Sequence, residues 1–308
     1  MKLLTALITA AAVAVFSGIS ARAQGGGLVV LGDSIATGYG LDGYSAGDNS
    51  SAQGSFANRL GALYPEYDNF ARDGLTTEGL LTMTEDGSLS EALSGADTVV
   101  LSIGGNDLLM PMINAVIEAA ESDPDLAGML EGDVSGDYLD IMREFTMKLI
   151  EAAKSVDISK TGGNLDGIIA GIRNENPDCQ IIIFTVYDPF EGVAGMELFD
   201  IVAREKLAEL NGEITACADK NGLQTVDVHS AFSGGAERLT NITSMDIHPN
   251  AEGHAMIFTL LSEAADIPTV PAFADNVKGS PDTGAEGIAA VFGILALSGA
   301  AVIVFRRK

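Results

Sequence analysis

The chain has 308 residues with 43 acidic against 17 basic side chains, a formal net charge of −26. A surface of that sign repels phosphate backbones and anionic headgroups, which argues against a nucleic-acid partner and is explained by solubility outside a cell. Two cysteines, Cys179 and Cys217, are too few for a disulfide scaffold, and three separated histidines with no Cys cluster and no His-Glu-x-x-His run offer no metal-ligand set and imply no cofactor.

In chain order, Lys2 precedes an apolar segment from Leu3 to Phe16, and Ala21-Arg22-Ala23 has the small-x-small pattern of a signal-peptidase site. Residues 1–23 are expected to be an export signal, with the mature chain starting at Gln24; an uncleaved membrane anchor is the competing reading, weakened by the short apolar core. The body, 24–268, fits one large α/β domain. Strands are expected at Leu28–Leu31, Tyr67–Phe70, Thr98–Ile103, Gln180–Val186 and Leu223–Val228, with amphipathic helical stretches between most of them. That alternation predicts a parallel sheet covered on both faces, with each strand delivering its end to one rim.

The longest interval without a strand, Leu108 to Pro177, holds a Gly- and Asp-rich acidic loop, Asp123–Asp137, which reads as a lid or a surface excursion. A helical face of Tyr138, Ile141, Met142, Phe145, Leu149 and Ala152 follows. Leu108, Leu109, Met110 and Met112 read as an apolar acyl groove or as ordinary helix core. Cys217 falls on a helical face with Phe199, Ala203, Leu207, Leu210 and Ile214, so a buried thiol and a pairing with Cys179 both stay open.

The strand ends carry the chemistry. The first strand stops at Gly32-Asp33-Ser34, and a serine at the carboxyl end of a buried strand sits where open α/β sheets hold their sites. After the second strand, Gly74 can bring its backbone N–H close to a ligand. After the third, Gly104-Gly105-Asn106-Asp107 presents the neutral amide of Asn106, a donor suited to a developing oxyanion. Near the end lies Asp246-Ile247-His248-Pro249-Asn250. Gly38, Tyr39, Gly40 and Tyr44 are expected near Ser34. Asp33 is expected to tie down the turn through backbone hydrogen bonds, and His254 and His229 to be structural.

Beyond the body, 269–286 is a polar Gly- and Pro-containing linker, and 287–308 is an uncharged run to Phe305 closed by Arg306-Arg307-Lys308. As a helix its 19 uncharged residues would be about 28 Å long, enough to span a hydrocarbon core with the cations on the cytoplasmic side. The preceding Ser280-Pro281-Asp282-Thr283-Gly284 resembles a sortase sorting signal, with Ser280 in place of the usual Leu, and implies cleavage after Thr283 and attachment to a cell wall. Wall attachment and a retained membrane helix both stay open, and both put the body outside the membrane.

Gly32-Asp33-Ser34, Asn69 to Gly74, Gly104 to Asp107 and Asp246 to Pro249, in that order, resemble the motif blocks of the SGNH hydrolases, the GDSL-type esterases and lipases. The resemblance implies a flavodoxin-like three-layer α/β/α domain with a five-stranded parallel sheet. It implies Ser34 as nucleophile, His248 as base, and the Ser34 and Gly74 N–H groups with the Asn106 amide as oxyanion hole. One departure stands out. The family often places its triad acid three residues before the histidine, here Met245, whereas the carboxylate in this chain is Asp246, two before. Asp246 or a backbone carbonyl then orients His248. The implied activity is a serine esterase acting on a small ester, a lipid or an acetylated glycan, and the alternative is a surface-displayed binding protein on a retired hydrolase fold.

Overall fold

The computed structural model describes residues 26–122, 143, 147, 148, 150–152, 154–194, 196–244 and 246–265. The expected leader, the linker and the C-terminal anchor lie outside the described residues, as do the acidic loop and Tyr138, Ile141, Met142, Phe145 and Leu149. Among the described residues no helix is long and apolar enough to cross a membrane.

Five parallel strands form one sheet: β1 Gly27–Gly32, β2 Glu66–Asn69, β3 Ala96–Ser102, β4 Gln180–Phe184 and β5 Gln224–Val226, in the spatial order β2-β1-β3-β4-β5. This is the doubly wound order in which connections leave β1 in opposite directions, opening a crevice at its carboxyl end. The helices bounded within the described residues, in chain order, are α1 Ser34–Thr37, α2 Phe56–Gly61, α3 Thr77–Glu85, α4 Ser90–Gly95, α5 Gly105–Ser122, α6 Ile158–Glu175, α7 Glu197–Asn221, α8 Val228–Phe232, α9 Ala236–Leu239 and α10 Ala251–Ala264.

Strand alternation divides the core in two. Val29, Leu31, Val99, Leu101, Ile181 and Ile183 face one layer with Leu80 of α3, Leu165 and Ile168 of α6, and Leu210 and Ile214 of α7. Leu28, Val30, Val100, Ile182, Phe184 and Val226 face the other with Phe56 and Leu60 of α2 and Ile257 and Leu261 of α10. Both faces of the central strands are apolar because both are covered, and each fully buried aliphatic chain contributes about 1.5–3 kcal/mol. The result is a three-layer α/β/α domain.

Several strand ends differ from the sequence expectation. β4 stops at Phe184 because the side chain of Asn211 takes over both polar groups of Val186: its Oδ1 accepts from Val186 N (2.8 Å) and its Nδ2 donates to Val186 O (2.8 Å). β5 stops at Val226 because Asp227 caps α8, accepting from Ser230 N. Leu108 and Met112 of α5 are buried in the core with Leu165 and Ile168, while Leu109 and Met110 are half-buried. Cys179 and Cys217 are both buried thiols, not joined by a disulfide.

His254 lies fully buried in α10, where its Nδ1 accepts a hydrogen bond from the Phe56 N–H (3.2 Å) and its ring stacks on that of Phe56. Burial, reinforced by the nearby His248 and Arg59, pushes its pKa down to about 3. A depressed histidine contributes stability that is complete above its unfolded value, near 6.5, and is lost as pH falls toward 3. His254→Asn keeps an acceptor for Phe56 N and removes the titration. Melting temperatures measured between pH 7 and 4 should fall less steeply in the variant than in the parent, whatever the offset at neutral pH. Parallel curves would exclude His254 as a source of acid lability.

Candidate active site

The site forms where β1, β2 and β3 end. Asp33 N donates to Ser102 O (3.1 Å), extending the β1–β3 ladder one residue beyond Gly32, and a Cβ at Gly32 would lie 2.6 Å from that same carbonyl oxygen. Glycine is thus required for the strands to stay this close. The chain then turns into α1, whose cap is Asp33: its Oδ1 accepts from Ile35 N (3.0 Å). Ser34 is the first residue of that helix, so its N–H has no intrahelical acceptor.

His248 reaches Ser34 from the far end of the chain. Its loop is closed by a bridge between Thr240 and Pro249, by Asn241 N donating to His248 O (2.9 Å), and by the Tyr187 hydroxyl donating to Ile247 O (2.7 Å). Asn250 caps α10 through Glu252 N and Gly253 N and donates its amide to Arg238 O and Thr240 O. Held this way, His248 Nε2 lies 2.8 Å from Ser34 Oγ, and His248 Nδ1 lies 2.5 Å from Asp246 Oδ1. The two-residue spacing works because Asp246 Oδ1 also accepts the backbone N–H of His248 (3.0 Å), an Asx turn that folds the carboxylate back under its own imidazole. The ring nitrogen's partner is this carboxylate, not a backbone carbonyl. Both side chains are buried, which strengthens a charge-assisted bond between them.

Two neighbours of Ser34 complete the enclosure. The Tyr39 ring packs on the His248 ring with centroids 4.5 Å apart. Gly40, at φ +83°, brings its backbone against the acid: a Cβ there would lie 2.7 Å from Asp246 Oδ2 and 2.9 Å from Asn241 Nδ2. The sequence expectation placed these residues near Ser34; the structure puts both on the histidine and acid side.

Gly74 lies in the turn Arg72–Leu75, closed by Leu75 N donating to Arg72 O (3.1 Å), with φ +74° and open space, nothing within 4 Å, where a Cβ would sit. Asn106 is buried in the first turn of α5, and its Nδ2 donates to Leu75 O (3.0 Å), leaving the second amide hydrogen for a ligand. Among the described residues neither the Ser34 nor the Gly74 N–H is bonded to a protein acceptor. His229 and His254 take no part in these bonds.

Asp33 is the electrostatic outlier. Burial pushes its carboxyl up to about 7, against the lowering effects of the Ile35 N–H and His248, with Asp107 and Asp73 adding to the rise. Beside it a cavity of about 20 Å³ is lined by Ser102, Gly105, Thr185, Tyr187 and Val228, room for one water and far too small for an ester.

A carboxyl raised by folding contributes stability that is complete below its unfolded value, near 3.8, and is lost as pH rises through about 7. Asp33→Asn keeps the acceptor for Ile35 N and cannot ionise. The melting temperature of the variant relative to the parent should rise between pH 5 and 8; a constant difference would show that Asp33 does not titrate there.

Comparison with known proteins bears on the family and the fold. Residues 30–256 match the model of the GDSL-like Lipase/Acylhydrolase family. No curated protein matches the chain. Among solved structures, the extracellular lipase from Streptomyces rimosus superposes with a TM-score of 0.55 at 19% identity, over 78% of this chain and 99% of the lipase. Phospholipase A1 from Streptomyces albidoflavus NA297 gives 0.56 at 21% identity, over 78% and 99%. At such identities these two likenesses speak for the fold, whereas the family match takes in the carboxyl end of every strand and all the site residues described above. The chain belongs to the GDSL-like lipase/acylhydrolase family and is an ester-hydrolysing serine hydrolase.

Proposed function

We propose that the protein is an exported esterase that cleaves carboxylic esters through an acyl-enzyme on Ser34. The observation that carries this is the continuous bonded chain from Ser34 Oγ through His248 to Asp246. In this reading Ser34 Oγ attacks the ester carbonyl carbon while His248 Nε2 takes its proton. The carbonyl oxygen becomes an oxyanion facing the Ser34 and Gly74 N–H groups and the free hydrogen of Asn106. Collapse of the tetrahedral intermediate breaks the bond to the alcohol oxygen, which leaves with the proton from His248. Water, deprotonated by the same nitrogen, then attacks the acyl carbon, and the second tetrahedral intermediate breaks its bond to Ser34 Oγ, which takes the proton back from His248 as the carboxylic acid leaves. Asp246 holds the imidazole with its proton on Nδ1 and stabilises the imidazolium formed in each half-reaction.

Export is supported by the leader pattern of residues 1–23, and retention at the cell surface by the linker, the Pro281–Gly284 motif with cleavage after Thr283, and the uncharged run before Arg306. An enzyme so placed meets acyl lipids, lysophospholipids and acetylated polysaccharides. Ester substrates agree with the family match.

Hydrolysis of p-nitrophenyl acetate, butyrate and octanoate is the direct test. Ser34→Ala should abolish turnover, and full activity in that variant would end the esterase reading in favour of a binding protein that carries a contaminant. A preference for the octanoate would identify an acyl groove, and activity confined to the acetate would point to acetylated glycans.

Asp246→Ala should lower kcat by about 10²- to 10⁴-fold and Asn106→Ala by about 10²- to 10³-fold, both in folded protein. Near-parental turnover in either variant would remove that residue from the machinery.

A further inference from the structure

Three donors must point at one oxyanion, yet they sit on three separate segments, α1, the Arg72–Leu75 turn and α5. Two of these joints are directly bonded. The turn is bonded to α5 through Asn106 Nδ2 and Leu75 O (3.0 Å). It is bonded to α1 through Asp73, the residue immediately before Gly74, whose Oδ1 accepts from the hydroxyl of Thr37 (2.7 Å). Thr37 closes the helix that Ser34 opens, and the same hydroxyl lies 3.0 Å from Ser34 O. A hydroxyl has one hydrogen, and the shorter contact to a carboxylate takes it.

The other carboxylate oxygen of Asp73 accepts from the Tyr44 hydroxyl. The Tyr44 ring packs on Tyr39 (4.9 Å between centroids), and Tyr39 packs on His248 (4.5 Å). One carboxylate therefore touches, through hydroxyls and rings, both the helix that carries the nucleophile and the aromatic cover over the base. Arg72 N donates to Gly32 O (3.0 Å), Leu75 N donates to Arg72 O (3.1 Å) and Asn69 Nδ2 donates to Ala36 O (3.0 Å), so the chain is held on either side of Gly74, while the Gly74 N–H itself has no protein acceptor among the described residues. A glycine at φ +74° with no side chain is the residue least able to hold its own orientation.

We propose that Asp73 is a positioning residue for the oxyanion hole, fixing the Gly74 N–H against the Ser34 helix through Thr37 and coupling it to His248 through Tyr44 and Tyr39. It touches neither substrate nor reacting atoms. The inference rests on the esterase reading above and adds to it a residue that lies beside, not among, the implied oxyanion donors.

The experiment is steady-state hydrolysis of p-nitrophenyl acetate by the full chain, paired with inhibition by phenylboronic acid. The boron of that probe takes up Ser34 Oγ to become tetrahedral, so its affinity reports on the oxyanion donors. Asp73→Ala should lower kcat by about 10- to 100-fold with KM little changed, and weaken boronate inhibition in parallel. Asp73→Asn, which still accepts from Thr37, should recover most of that loss, and Thr37→Val should reproduce much of it at an unchanged melting temperature. Parental kcat in Asp73→Ala overturns the proposal, as does a lowered kcat with undiminished boronate affinity. Turnover that survives in Ser34→Ala would instead remove the esterase reading, and the proposal with it.

Discussion

Strand β1 lies between β2 and β3, and its backbone bonds to both fix everything at the carboxyl edge of the sheet. The register pairs Gly32 with Ser102, and the ladder runs on through Asp33 N to Ser102 O and Arg72 N to Gly32 O. Ser34, the turn holding Gly74 and the start of α5 holding Asn106 are all reached within a few residues of those bonds. A slip of one residue in β1 would move Val29 and Leu31 into the layer now filled by Leu28 and Val30. The two buried faces therefore hold the site in register more firmly than any contact within it.

His248 arrives by a different route, on a loop with no strand of its own. That loop is held instead by polar groups turned onto the backbone: Asn250 on Arg238 O and Thr240 O, Tyr187 on Ile247 O, and Asp246 on His248 N. Each satisfies a donor or acceptor in a crowded region where an unpaired group would cost about 1–3 kcal/mol. The outcome is a buried imidazole whose two nitrogens face a hydroxyl and a carboxylate, with Tyr39 covering the ring. Water is kept from that pair, so the bond between Asp246 and His248 acts in a low-dielectric setting where it is strong.

The same burial has a consequence one residue before the nucleophile. Asp33 caps α1 while burial raises its carboxyl to about 7, against the lowering effects of the Ile35 N–H and His248. Asp107 and Asp73 add to that rise, so three carboxyl groups bear on one another at the foot of α1.

The order of elements is readable from the residues because a parallel sheet covered on both faces needs apolar runs of four or five, and these stand out between polar helices. The stopping points at Gly32, Gly74, Gly104 and Asn106 are readable for the same reason, since a strand end is marked by residues that cannot continue it. The limit of β4 is not, because Asn211 captures the backbone of Val186 from 25 residues away, and the limit of β5 turns on whether Asp227 continues the strand or caps α8. Asp73 gives no signal for a related reason: a lone exposed carboxylate in a turn is ordinary until Thr37 and Tyr44 are seen to converge on it. By itself the sequence determined the α/β class and the rim on which the chemistry-bearing residues gather, and its resemblance to the family's motif blocks marked His248 among three histidines. Only the tertiary structure decided that Asp246, two residues away, meets His248 Nδ1, because that contact depends on a backbone turn closed by the carboxylate itself. The Ser34 to His248 distance belongs to the same class, set by packing between segments 214 residues apart in the chain.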